Sequence, residues 1–225
     1  MLYSKQAARD NLRNRDGKRV FYLGKGDQLT SDAKDFLRSE RIEILPASEA
    51  KPERYRLLGG GYMEEKPEHM THLNGEFLVE KIHPRIAFRG KVDTLEAELL
   101  LCFAHTQGSV SAQLKEALSY TRNLLRYEVL DEPVPDMPLG GMDAAALRQR
   151  SHRPQEFYGQ PHFMPEPEDG AAILQVNRAR CAARAAELAA VAAFPTGRED
   201  LLRAFNRLSS FLYLVMIQLK SVKSM

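Results

Sequence analysis

The chain has only two cysteines, Cys102 and Cys181, among 225 residues, so no disulfide framework is available to it. Both fall in apolar, helix-like stretches, the usual setting of a small buried hydrophobe in a reducing compartment. Charge of one sign is lacking too: 32 basic residues meet 30 acidic ones, leaving a formal +2. No global field draws nucleic acid or an anionic membrane, so anion chemistry must come from a local cluster. The longest nearly uncharged apolar run, Leu208 to Leu219, is interrupted by Ser209, Ser210 and Gln218. At about 1.5 Å per residue it is too short for about 30 Å of hydrocarbon. Lys5, Arg9 and Asp10 stand where a signal peptide needs its apolar region. A cytoplasmic protein without membrane or nucleic-acid partner is expected.

Familiar catalytic motifs are missing as well. Gly24-Lys25-Gly26-Asp27 lacks the spacing and the following Lys-Ser/Thr of a phosphate loop, and reads as a turn. His69, His72 and His83 gather loosely with no cysteine near them, so no transition-metal site is expected. Nothing resembles a Gly-x-Ser-x-Gly elbow or a Cys/His pair for acyl transfer.

What is present divides into two textures. Residues 1–65 are highly charged, with one apolar run, Val20-Phe21-Tyr22-Leu23. Thr30-Ser31-Asp32 then caps a short helix carrying Ala33, Phe36 and Leu37, and Ile42-Glu43-Ile44-Leu45 reads as a strand. This strand, turn, helix and strand predict a small α/β extension, with Gly59-Gly60-Gly61 as a flexible joint after it. Residues 66–225 are read as the main domain. From Pro84 onward long helical patterns alternate with proline-rich loops: about 84–105, 109–129, a short one at 143–149, then 169–193 and 198–222. The expected fold is all-α, an up-and-down bundle of four to five helices carrying that extension.

Three polar groupings interrupt the apolar pattern. Arg180, Arg184 and Glu187 share one face of an alanine-rich helix, and two guanidiniums one turn apart suit phosphate oxygens. Spacing alone favours a solvated face with an intrahelical pair worth about 0.5 kcal/mol. Asn206, Arg207, Ser209 and Ser210 lie amid Leu202, Phe205, Leu208, Phe211, Leu212 and Val215. They must bond either to neighbouring helices or to a ligand. Arg89, Gly90 and Asp93 break the run of the first long helix, and the glycine suggests that a helix or a ligand comes close there.

Thr71-His72-Leu73, the stretch from Val79-Glu80-Lys81 through Gly90-Lys91-Val92-Asp93-Thr94-Leu95, and Phe205-Asn206-Arg207-Leu208-Ser209-Ser210 together resemble the ATP:cob(I)alamin adenosyltransferases. The likeness spans about residues 70–220 and is greatest to the ethanolamine-utilization branch, with whose N-terminal segment Leu29-Thr30-Ser31-Asp32-Ala33 also agrees. It implies a homotrimer of helical bundles with ATP and the corrinoid bound between subunits. Asp93 is then the aspartate that pairs with the arginine matched by Arg180. Arg184, Glu187, Asn206 and Arg207 match positions that hold the nucleotide. Phe163, in Pro161-His162-Phe163-Met164-Pro165, looks like the loop aromatic that wedges below the corrin, with Phe157 and Tyr158 as competitors.

The implied activity moves the 5′-deoxyadenosyl group of ATP, bound with Mg2+, onto cob(I)alamin, for a cobalamin-dependent enzyme such as ethanolamine ammonia-lyase, in the cytoplasm or inside a bacterial microcompartment. The branch's His…Cys-Cys-x-x-Cys metal motif is replaced here by Arg56-Leu57-Leu58-Gly59-Gly60-Gly61-Tyr62-Met63. Activity without a transition metal is therefore expected. The other large branch's N-terminal phosphate loop is absent too. The alternative reading is a non-catalytic corrinoid-binding escort, or a scaffold protein of a metabolic compartment.

Overall fold

The computed structural model describes residues 1–15, 17–50 and 55–223. They form two compact units, Met1–His83 and Pro84–Met225.

The first unit strings together β1 (Leu2–Tyr3), α1 (Lys5–Asp10), β2 (Leu12–Arg15), β3 (Lys18–Leu23), β4 (Gln28–Leu29), α2 (Ser31–Ser39) and β5 (Glu43–Pro46), then β6 (Tyr55–Leu57), β7 (Tyr62–Met63), β8 (Met70–Asn74) and β9 (Phe77–Glu80). Seven strands make one mixed sheet in the order β5-β3-β2-β7-β6-β9-β8, and β1 pairs separately with β4. Thr30 caps α2 by accepting the Ala33 N–H at 3.3 Å. Ala8, Ala33, Phe36 and Leu37 of the two helices cluster with Leu12 and Phe21 of the sheet. A second cluster joins Met63, Met70 and Leu78 at the other end.

This unit corrects the expected fold class. The chain is not an all-α bundle with a small extension: a seven-stranded mixed sheet is a substantial α/β element. The strands are two to six residues long, and several, such as β2, which reads Leu-Arg-Asn-Arg, lack the apolar run by which β3 and β5 are recognised. The glycine joint is also reassigned. Gly59-Gly60-Gly61 closes the β6–β7 hairpin, with the Leu57 N–H donating to the Gly61 carbonyl at 3.0 Å. Gly61 holds φ +92°, and a Cβ there would meet the Leu12 carbonyl oxygen at 2.6 Å. We expect Gly61→Ala to destabilise this unit by about 1–3 kcal/mol, read as a lowered midpoint in chemical unfolding; an unchanged midpoint would show that the turn adapts freely.

The second unit contains α3 (Pro84–Cys102), α4 (Gly108–Val129), α5 (Ala144–His152), the single turn α6 (Pro154–Tyr158), α7 (Gly170–Ala193) and α8 (Glu199–Lys223). The long helices fall within a few residues of the spans predicted from hydrophobic period. The central helix is α7, packed along both α3 and α8. Ala179, Ala183, Ala186 and Ala190 are all fully buried, and their small side chains let its neighbours approach closely. Phe88 of α3 meets Phe205 of α8 edge-on at 5.6 Å in the same core.

Polar ties fix the register of these helices. Glu128 of α4 is fully buried and accepts from Arg85 Nε at 2.6 Å and Arg89 Nε at 2.7 Å, joining α4 to the start of α3. Glu98 of α3 accepts from Gln175 and Arg178 of α7 at 2.7 and 2.6 Å. The thiols separate in character. Cys102 is buried and its pKa is pushed up to about 12, first by desolvation and then by Glu98, whereas Cys181 is exposed, contrary to expectation. Gly90 departs from its reading too, because a Cβ there would meet nothing within 4 Å.

Candidate functional site

The polar residues of α7 and α8 face a cleft closed on its other side by α5 and the loop at 159–166. The cleft has two chambers. The first, about 440 Å³, is lined by Arg180 and Arg184 from α7, by Asn206, Ser209, Ser210 and Tyr213 from α8, and by Ser151, His152 and His162 opposite. The second, about 470 Å³, shares Ser151, His152, Asn206 and Ser210 with it and adds Arg148 of α5 with Arg203 and Arg207 of α8. Asn206 and Ser210 therefore stand on the boundary. These volumes suit a small-molecule ligand.

Helical period explains the assembly. Arg180 and Arg184 lie one turn apart on α7, as Asn206 and Ser210 do on α8, so each pair presents to the same side. Glu187 links the two helices: it accepts from Arg184 at 2.8 Å with one oxygen and from Asn206 at 3.3 Å with the other. Its side chain is largely buried, while Arg184 is about half exposed and reaches the cleft. Arg180 donates twice to Asn177 Oδ1, at 3.0 and 2.9 Å, which holds its guanidinium along α7. Arg207 pairs with Asp136 at 3.1 Å, and that carboxylate is almost fully exposed.

The loop that carries Phe163 is clasped by Tyr213. The tyrosine hydroxyl accepts the Phe163 N–H at 3.1 Å, lies 3.3 Å from the Phe163 carbonyl and 3.2 Å from His162 Nδ1. His162 also stacks on the tyrosine ring, with centroids 5.7 Å apart and planes 14° from parallel. Lys220 lies over the Phe163 ring at 5.4 Å and pairs with buried Asp169, which anchors the end of the loop. Phe163 is half-buried against the bundle core, Tyr158 likewise, and Phe157 is exposed beneath Arg150.

Among the predicted residues, Arg180, Arg184, Asn206 and Arg207 reach the two chambers, and Glu187 braces two of them. Phe163 adjoins the first chamber through His162 and Tyr213 without lining it. Asp93 is exposed on α3 and forms no bond to Arg180 within the chain. Sequence reasoning passed over Arg148, Ser151, His152, His162, Arg203 and Tyr213 as site residues. Arg203 was within reach of it, one turn before Arg207 on the same face. The others come from α5 and a loop whose approach to α8 no local pattern announces.

Neither chamber is lined by a carboxylate, so these residues do not form a Mg2+ site of the kind built on protein acids. Among the described residues no three His, Cys, Asp or Glu side chains gather as metal ligands would. Likewise, among the described residues no helix is long and apolar enough to cross a membrane.

The model of the cobalamin adenosyltransferase family matches residues 61–219. Similar proteins include the corrinoid adenosyltransferase EutT of Salmonella typhimurium and that of Escherichia coli K12. Each is 28% identical over 216 residues, covering 94% of this chain and 80% of the relative.

Proposed function

The chain belongs to the cobalamin adenosyltransferase family, in its ethanolamine-utilization type, and we propose that it transfers the 5′-deoxyadenosyl group of ATP to cob(I)alamin. In this reaction the cobalt(I) electron pair forms a bond to C5′ of ATP. The C5′–O bond breaks, and its electrons leave with tripolyphosphate. A leaving group of such charge needs preorganised cations more than it needs a side-chain nucleophile. The observation that carries the reading is the bracing of Arg184 and Asn206 by Glu187 at the mouth of an arginine-lined cleft free of carboxylates.

Roles follow from position. Arg184, Asn206 and Arg207 hold the nucleotide, and Glu187 acts through the first two as a positioning residue. Phe163 stands at the corrin's lower face, where an aromatic side chain keeps water or the corrinoid's own base from the cobalt and so eases reduction of cobalt(II). Phe157, exposed, and Tyr158, half-buried, are the other aromatic side chains of that segment. The charge of the leaving polyphosphate is met by arginines, and Mg2+ accompanies ATP as its counter-ion.

Asp93 and Arg180 act across a subunit boundary in a homotrimer. Support comes from the exposed face of α3: glycine in a helix interior costs about 1 kcal/mol relative to alanine, and among the described residues nothing lies within 4 Å of a Cβ at Gly90 to require it. Leu188 and Val191, on the turns after Arg184, are also exposed, as residues awaiting a neighbouring subunit would be. The product supplies a cobalamin-dependent enzyme, with ethanolamine ammonia-lyase as the candidate the branch suggests, in the cytoplasm or a microcompartment. The test is formation of the cobalt–carbon bond from ATP and chemically reduced cobalamin, seen in the visible spectrum; its absence with the reductant verified removes the proposal.

A further inference from the structure

We infer that Arg148 and Arg203, together with Arg207, make the second chamber a polyphosphate site, the place where the triphosphate of ATP lies and from which tripolyphosphate departs. The inference rests on the adenosyltransferase reading and adds to it two residues and a division of the cleft.

Arg203 and Arg207 are one turn apart on α8 and face the same space. Arg148 enters it from α5, which packs against α8. Three guanidiniums thus converge on about 470 Å³ with no carboxylate in the lining. Only Arg207 has an acidic partner, the exposed Asp136; Arg148 and Arg203 form no ion pair among the described residues. Elsewhere in this unit most arginines are matched by an acid, Arg85 and Arg89 by Glu128, Arg122 by Glu96, Arg178 by Glu98 and Arg198 by Asp200, whereas Arg126, Arg150 and Arg180 form no ion pair among the described residues and lie outside this chamber. Like charges gathered without a counter-charge repel one another, and a bound anion turns that repulsion into attraction.

The chemistry of the anion follows from the donors. Guanidinium forks pair bidentately with phosphoryl oxygens, and three of them around one space suit several linked phosphoryl groups better than a single carboxylate. The first chamber differs, being walled by Tyr213 and His162, whose stacked rings adjoin the loop of Phe163. Asn206 and Ser210 stand between the two. A nucleotide lying across that boundary places its adenosyl part beside the loop, its first phosphoryl group beside Arg184, which Glu187 ties to Asn206 at the boundary, and its outer phosphates among Arg148, Arg203 and Arg207. The chain has no glycine-rich phosphate loop to do this work, since Gly24-Lys25-Gly26-Asp27 lacks the required spacing.

The experiment is a calorimetric titration of the full chain with sodium tripolyphosphate, alongside steady-state turnover with varied ATP, for the wild type and for Arg148→Ala/Arg203→Ala. Both side chains are exposed, so the variant should fold, which circular dichroism verifies. Arg126→Ala, at an exposed arginine that lines neither chamber, controls for the loss of a positive charge outside the cleft. Tripolyphosphate should bind the wild type in a salt-sensitive manner and compete with ATP. The double variant should lose about tenfold or more of that affinity, with a matching rise in the KM for ATP, while Arg126→Ala changes neither. A rise confined to the KM for ATP would place the nucleotide's tail in the chamber without a stable product complex, and still supports the site. Unchanged tripolyphosphate affinity together with unchanged KM overturns it, and so does an equal loss in Arg126→Ala. Lost tripolyphosphate binding in a protein whose wild type forms no adenosylcobalamin would uphold the polyphosphate site and defeat the reaction.

Discussion

Glu128→Ala should destabilise the helical unit by about 3–5 kcal/mol, the cost of removing one partner from a buried ionic cluster. The carboxylate is fully buried, and Arg85 and Arg89 around it are each more than four-fifths buried. Without it, two largely buried guanidiniums at the start of α3 lose the carboxylate they share. Truncation also opens a cavity beneath Arg85, whose guanidinium lies 5.3 Å from the centroid of the Phe194 ring. Because whole domains unfold at a net of only about 5–15 kcal/mol, a shift of this size should be plain in the urea or thermal midpoint. Glu128→Gln keeps the shape and some of the bonds, and should fall between wild type and alanine. An alanine variant within 1 kcal/mol of the wild type, as an exposed pair would give, would show that the cluster does not hold α3 to α4.

Arg184→Ala should lower turnover by about a hundredfold or more, the scale of removing one preorganised donor from a developing anion, and leave the bundle folded. The two effects separate because Arg184 is about half exposed and Glu187, though largely buried, keeps its bond from Asn206, so the loss in stability should stay at about 1 kcal/mol. Arg184→Lys should recover little, since an ammonium does not reproduce the guanidinium fork. Glu187→Gln should be milder than either, because an amide can still accept from Arg184 or Asn206. Wild-type rates in Arg184→Ala, measured on protein with an unchanged unfolding midpoint, would remove Arg184 from the site.

The long helices were open to sequence reading because each buries one stripe, and stripes such as Val92, Leu95 and Leu99 recur at the helical period. The sheet was not, because its strands are short and gain their pairing from partners far along the chain. β2 pairs with β3 in antiparallel fashion and with β7 in parallel. Such registers are set by tertiary packing and leave little trace in local composition. The same contrast runs through the cleft. Arg180, Arg184 and Asn206 could be singled out because helical spacing and a polar interruption are local signals. Arg148, His162 and Tyr213 could not, since they matter only once α5 and the loop close against α8. Gly90 attracted notice as a glycine inside a helix, but the close approach it suggested is not found, since a Cβ there would meet nothing within 4 Å.

This cleft is proposed to couple ATP to cobalamin through bond formation. The direct measurement is a single-reaction balance: purified protein, ATP, Mg2+ and chemically reduced cobalamin, with adenosylcobalamin and tripolyphosphate quantified together. The two products are expected in equal amounts, and neither above background when ATP or cobalamin is withheld. Cobalamin bound with no ATP consumed, in the presence of a verified cobalt(I) pool, would contradict that coupling and identify the chain as a corrinoid-binding escort.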